Sequence, residues 1–342
     1  MKSSMAKALI ERYSSKGDLV CDPFVGSGVV ALESLISERG ILASDISRYA
    51  HVLTKAKIMP PRTMEEALDK TDSYCIKMKL IANRVSLRAA PKWVRAFYHP
   101  RTLKEIIALT GILRQRREYF LLACLLGILH HQRPGFLSYP SSHLVPYLRT
   151  KNFPIEQFPE LYNYRSVADR LKAKIKRAYK RFPRLSPELQ KECRRVNAAT
   201  TWLPKGAVDA VITSPPYMNA LDYARDNRLR LWFLGVSDYE RQDKKVPNNP
   251  KDFLSLMKGC MINAYQGLRR NGMCVLVIGE VVRSSKPINT AQLIIDMVKD
   301  SSINFKMEEI IEDTIPDIRR ARRNGSCTKK EWIVVFKKGG KA

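Results

Sequence analysis

The strongest constraint on this chain is a short stretch near its start, DLVCDPFVGSGVVALESLIS, followed closely by GILASD. An apolar run at 18–21 turns into a loop with two glycines at 22–28. A helical pattern occupies 29–37, and a second apolar run at 40–44 ends on Asp45. Strand, loop, helix, strand is half of a parallel-sheet unit. Gly26 and Gly28 permit backbone angles barred to other residues and let a ligand approach the main chain at a helix start. A short amphipathic helix at 5–13 precedes the unit.

The alternation is interrupted and then resumes. Residues 51–193 hold 28 Lys and Arg against 11 Asp and Glu, so +17 of the chain's net +27 lies there. Helical patterns dominate that stretch, with a Pro- and Ser-rich loop at 134–159. The clearest helix is 164–182, where Val167, Leu171, Ile175 and Tyr179 recur every four residues among lysines and arginines. Strand patterns return at 196–199, 208–213 (VDAVIT) and 273–278, with helices at 253–268 and 290–299. A final strand pair is expected at 307–314 and 331–336. The simplest organisation is an α/β domain formed by 1–58 and 194–342, interrupted by a basic helical insertion at 59–193. Such an excess of positive charge points to a polyanionic partner. No apolar run reaches 18 residues and the N-terminus has no apolar h-region, so a cytoplasmic protein with no membrane partner is expected. The seven cysteines include no C-x-x-C pair, so no metal site and no disulfide framework is expected.

A second motif, Thr213-Ser214-Pro215-Pro216-Tyr217, follows the VDAVIT strand directly. Ligands bind beyond the carboxyl ends of strands in an open parallel sheet, so the motif stands where chemistry would occur. Two prolines fix two φ angles and remove two N–H donors. What remains is a stiff loop of acceptors, with an aromatic plate. The exocyclic amine of a nucleobase is a poor nucleophile because its lone pair is delocalised into the ring. Two acceptors, the Ser214 hydroxyl and the Pro215 carbonyl, would each take one of its N–H groups and free that lone pair. Tyr217 would stack on a base turned out of its helix.

Gly26, Gly28 and Ala31 also satisfy G-x-G-x-x-A, which leaves a dinucleotide-dependent oxidoreductase open. The Asp-Pro-Phe prefix fits differently. D-P-F-V-G-S-G together with T-S-P-P-Y resembles the S-adenosylmethionine-dependent DNA amino-methyltransferases, which form N4-methylcytosine or N6-methyladenine. GILASDISRYA, Val196-Asn197-Ala198 and the segment after the second motif also look like that family. The resemblance covers roughly 1–58 and 194–340. It implies a Rossmann-like class I methyltransferase sheet with an antiparallel last strand. It also implies that S-adenosylmethionine is held by Asp22, Pro23, Phe24, Gly26, Ser27, Gly28, Asp45, Asn197 and Thr213. Ser214, Pro215, Pro216 and Tyr217 become the catalytic residues, and Ser before Pro-Pro-Tyr leans towards cytosine N4. The chain departs from the family in carrying Val29 where Thr is usual, and in an abbreviated segment, Met1 to Ser4, before the glycine loop.

The implied partner is double-stranded DNA with the target base flipped out, and a cognate restriction endonuclease is a second candidate partner. The insertion becomes a target-recognition region, with Lys172, Lys176 and Lys180 on phosphates. The connection between the last two strands carries Arg319, Arg320, Arg322 and Arg323, which would meet phosphates around the extruded base. An RNA base methyltransferase would use the same loop, and a catalytically silent nucleic-acid-binding relative would keep the fold.

Overall fold

The computed structural model describes residues 1–130, 137, 154–200, 202–216, 223–238, 247, 249–283, 286–315 and 329–339. They form two compact units, one of Met1–Thr54, Arg184–Asp222 and Arg241–Ala342, the other of Lys55–Pro183 and Tyr223–Glu240.

The first unit is a seven-stranded sheet flanked by helices, with strand order β3-β2-β1-β4-β5-β9-β8. The strands in chain order are β1 (Leu19–Asp22), β2 (Gly40–Ser44), β3 (Lys191–Arg194), β4 (Val208–Thr213) and β5 (Leu268–Gly279), then β8 (Phe305–Ile315) and β9 (Lys329–Lys338). A separate two-stranded ribbon pairs β6 (Val281–Arg283) with β7 (Lys286–Ile288). The helices of this unit are α1 (Ser3–Tyr13), α2 (Val29–Ile36) and α3 (Arg48–Ile58), whose last residues enter the other unit. Later in the chain two more follow, termed α11 (Pro250–Gly267) and α12 (Thr290–Lys299).

The first five strands are parallel, and β9 runs antiparallel to both β5 and β8. The expected antiparallel last strand is therefore present. All of β2 and nearly all of β4 are buried, as parallel strands covered on both faces require. The core between sheet and helices gathers Phe253, Met257 and Met261 of α11, Ile294 and Val298 of α12, and Trp332, Val334 and Phe336 of β9. The chain winds outward from β1 in both directions, through β2 and β3 on one side and β4 and β5 on the other. The switch point lies between the carboxyl ends of β1 and β4, where such sheets open a crevice.

One strand differs from its expected place. Composition puts the third strand at 196–199, yet β3 is Lys191–Arg194, paired with Ile41 through Ser44 of β2. At 197–200 the side chain of Asn197 competes with the ladder. Its Oδ1 accepts the Ala199 N–H at 3.0 Å, and its carbonyl accepts the Thr200 N–H at 2.9 Å. This is a local turn of the kind Asn favours over extended pairing.

The second unit is helical: α4 (Met64–Ala82), α5 (Lys92–Arg95), α6 (Pro100–Gln115), α7 (Tyr119–Gly127) and α8 (Val167–Tyr179), joined by α9 (Tyr223–Asp226) and α10 (Arg228–Phe233). In α8 the apolar stripe is buried as its spacing requires, with Val167, Leu171 and Ile175 all inside, while Tyr179 donates its hydroxyl to the Pro61 carbonyl at 2.8 Å. Ser166 caps the helix by accepting the Asp169 N–H. The helical unit is larger than the 59–193 insertion read from the sequence, because 223–240 belongs to it. Arg230 Nε donates to the Leu126 carbonyl at 3.2 Å and Arg114 Nη1 to that of Phe233 at 3.3 Å. Leu229, Leu231 and Phe233 are buried, and the Phe233 ring meets Tyr98 edge-on.

Candidate active site

The two sequence motifs, far apart in the chain, meet at the switch point. Val20 and Cys21 of β1 stand beside Ala210 and Val211 of β4. Beyond that pair, one residue on in β1 and two in β4, Thr213 Oγ1 donates to Asp22 Oδ1 at 2.6 Å, with both residues buried. The same carboxylate oxygen accepts the Phe24 N–H at 3.2 Å, which turns the chain into the glycine loop. Asp22 thus ties the start of that loop to the strand end that carries Ser214. Burial pushes its carboxyl from 3.8 up to about 7; the hydrogen bonds from Thr213 and Phe24 oppose the rise, and Asp45 adds to it.

The glycine loop is fixed by its own backbone. Val25 N–H donates to the Ser44 carbonyl at 3.0 Å and Gly28 N–H to Val25 at 2.8 Å. Gly26 (φ +50°) and Gly28 (φ +76°) take left-handed angles that side chains rarely adopt. A Cβ added at Gly26 would meet only the Phe24 carbonyl, at 3.9 Å, so the space above the loop is open. Helix α2 begins at Gly28 with no side-chain cap, which leaves its first-turn amides to an outside acceptor. Ser27 is exposed at the tip, and Pro23 is buried beneath.

Asp45 follows β2 directly, and its carboxylate already holds the chain: Oδ2 accepts the Gly26 N–H at 2.9 Å and Oδ1 the Ser47 N–H at 2.8 Å. Burial raises its pKa, and the backbone N–H groups of Ser47, Gly26 and Ile46 pull it back. A carboxylate offers about four acceptor sites, so a lone pair remains for a further donor. Asn197 lies exposed three residues beyond β3, on the same carboxyl edge. The turn that holds it depends on a residue the sequence motifs did not mark. Asn263, buried on α11, donates Nδ2 to the carbonyls of Ala198 (3.0 Å) and Thr200. Its only sequence signal is a polar side chain among Cys260, Ala264 and Gly267, the inward positions of that helix.

Ser214, Pro215 and Pro216 follow β4 at this edge, with Pro215 buried and its neighbours half-buried. Tyr217 lies outside the described residues, as do Arg319, Arg320, Arg322 and Arg323. The strands flanking those arginines, β8 and β9, are described, and the pairing of Glu331 of β9 with Gly279 of β5 brings the start of β9 to the carboxyl edge of β5. Lys176 on α8 and Lys180 just past its end are exposed. Lys172 is instead engaged, its ammonium paired with Asp72 of α4. Among the described residues no cluster of three or more His, Cys, Asp or Glu could hold a metal ion, and no helix is long and apolar enough to cross a membrane.

No family model matches the chain, and no curated protein matches it. Solved structures do. TrmN from Thermus thermophilus aligns with 99% of this chain and 49% of its own, at 11% identity and TM-score 0.39. An S-adenosylmethionine-dependent methyltransferase of Methanosarcina mazei aligns over 97% of both chains, at 9% identity and TM-score 0.40. A provisionally named DNA modification methylase of Thermus thermophilus aligns with 43% of this chain and 53% of its own, at 20% identity and TM-score 0.28. The chain spans about half the length of the first and third.

The assembled edge offers two adjoining receptors. The first is an open loop of glycines with first-turn helix amides and two carboxylates. The second is a row of acceptors on a proline-stiffened strand end. The first suits a ligand with both anionic and cationic or hydroxyl groups. The second suits a donor with two N–H groups.

Proposed function

We propose that the chain is a nucleic-acid amino-methyltransferase that uses S-adenosylmethionine and acts on DNA, with cytosine N4 favoured over adenine N6. The observation that carries the reading is the Thr213–Asp22 hydrogen bond, which joins the glycine loop to the Ser-Pro-Pro strand end at the switch point of the sheet. The residues of the loop fit the cofactor. Open space above Gly26 admits it, the amides at the start of α2 face its carboxylate, and the remaining lone pair of Asp45 accepts a ribose hydroxyl. Asn197 stands where a polar side chain can meet its adenine. When bound, the cofactor supplies a methyl group on a sulfonium.

The chain's own residues then prepare the acceptor. The Ser214 hydroxyl oxygen and the Pro215 carbonyl take the two N–H groups of the target amine, which localises its lone pair. Pro215 and Pro216 hold that geometry without backbone donors of their own, so no N–H competes for the acceptors. Tyr217 supplies the plate for the extruded base, whose unstacking costs a few kcal/mol. In-line positioning carries most of the acceleration. The exposed Lys176 and Lys180 add charge for the backbone of the polymer.

Transfer of a labelled methyl group to DNA, followed by nucleoside analysis, tests the reading. N4-methylcytosine or N6-methyladenine is expected. A product of 5-methylcytosine would overturn the mechanism, because carbon methylation needs a nucleophilic Cys that the loop lacks. Transfer to RNA alone would overturn the substrate and keep the chemistry.

Asp45→Ala removes both the loop tether and the ribose acceptor, and is expected to weaken S-adenosylmethionine binding by about 1.5–3 kcal/mol, roughly 10- to 150-fold. Calorimetric titration reads it directly. Wild-type affinity in the variant would detach Asp45 from the cofactor.

A further inference from the structure

A second run of uncompensated charge lies away from the residues treated so far. Residues 73–104 contain eight Lys and Arg and no Asp or Glu. Four of them, Arg84, Arg88, Lys92 and Arg95, fall on the connection from the end of α4 through α5, and all four are exposed. None has a carboxylate partner among the described residues. The connection is nevertheless firmly seated. Ala90, Val94, Phe97 and Tyr98 are buried, and the Tyr98 hydroxyl donates to the Leu129 carbonyl at 2.9 Å. Turns close it locally, with Arg84 N–H on the Ile81 carbonyl and Ala90 N–H on that of Leu87. Four cations are therefore held outward on an ordered backbone, at a spacing of three or four residues.

On helix α8 part of the charge is already engaged. Lys172 is paired with Asp72, and Glu65 and Glu66 act on Tyr179 beside Lys176 and Lys180. Carboxylates on a neighbouring helix weaken the local field that a phosphate would feel.

We propose that the segment from the end of α4 through α5 is a phosphate-binding track for the backbone of a nucleic acid, with Arg84, Arg88, Lys92 and Arg95 as its contacts. The proposal rests on the reading of the protein as a nucleic-acid methyltransferase and adds where the polymer is held. Each cation that neutralises a phosphate releases counterions from the polymer, so affinity falls steeply with salt. Backbone contacts of this kind fix position and carry no base sequence.

The test measures binding of the full-length protein to a duplex DNA over a range of salt concentrations. A variant with Arg84, Arg88, Lys92 and Arg95 all changed to Gln is expected to lose up to ~0.9 units of log–log salt slope per contact, about 3.6 in all. The loss should be equal on unrelated sequences. Changing the three arginines to Lys should restore most of the slope, since a point charge suffices for a phosphate. An equal-charge control, Lys251, Lys258, Lys299 and Lys306 to Gln, should keep the wild-type slope. Circular dichroism checks folding, which surface changes of this kind should spare. An unchanged slope in the first variant, or an equal loss in the control, overturns the track while wild-type DNA binding stands. Absence of nucleic-acid binding in the wild type overturns the track and the substrate reading together. Ile76 and Leu80 lie exposed nearby on α4, so vesicles of anionic lipid form a separate arm. Binding to them that the four changes abolish, with DNA binding intact, would assign the surface to a membrane instead.

Discussion

Ser214→Ala is expected to slow methyl transfer by about 10²–10³-fold, the usual worth of one positioned group that stabilises developing charge. The change removes one oxygen from a pair. With only the Pro215 carbonyl left, the target amine stays closer to planar and its lone pair stays in the ring. The loss should appear in the single-turnover rate, with cofactor affinity held within about twofold, because Ser214 lies beyond the Thr213–Asp22 junction rather than in the glycine loop. Ser214→Asp keeps an acceptor at the same place and should retain far more activity than Ala. A fall in cofactor affinity equal to the fall in rate would mean that Ser214 shapes the loop and does not touch the amine. An unchanged rate would remove it from the chemistry.

The glycine loop was legible in the sequence because few arrangements besides a strand-to-helix turn suit two glycines after a short apolar run. Its strands β2 and β4 and helix α12 fall where periodicity puts them. The third strand was misplaced because Val196 to Ala199 has strand-like composition, while the Asn197 turn decides its conformation and Lys191–Arg194 satisfies β2 instead. A four-residue edge strand with alternating charge gives periodicity little to detect. Helices α9 and α10 read as a continuation of the catalytic domain, since chain order was the only guide. Their place in the helical unit depends on Arg114, Arg230 and Tyr98, contacts about a hundred residues away. The coupling of Asp22 to Thr213 was equally invisible: each residue was marked for a cofactor, and only the register of β1 on β4 makes them partners. Asp45 shows the opposite case. Its place directly after the second strand was legible, and its hold on Gly26 and Ser47 is an added duty that no spacing reveals.

The pH dependence of stability should carry the mark of Asp22. Its folded pKa of about 7 lies above the ordinary 3.8, with burial as the main cause. Between those values the native state binds a proton that the unfolded chain has lost. Its contribution is therefore full below about pH 4 and is lost as pH rises to about 7. Three pH units at ~1.4 kcal/mol each set an upper limit of roughly 4 kcal/mol. Asp22→Asn keeps an acceptor for the Thr213 hydroxyl and the Phe24 N–H and carries no charge to desolvate. It should be more stable than wild type at pH 8, by up to that amount, and should lack the slope between pH 4 and 7. Denaturant unfolding across that range measures both. The cost in the native chain has a functional counterpart in the proposed reaction. A sulfonium and an ammonium bound beside Asp22 would favour its ionised form and draw the proton off. Near pH 6–7, cofactor binding should then release protons, visible as a dependence of the calorimetric heat on the ionisation enthalpy of the buffer. Asp22→Asn should abolish that release and weaken binding most at high pH. If the variant binds the cofactor with the same buffer dependence as wild type, the buried carboxyl faces no cation, and its high pKa is a matter of packing alone.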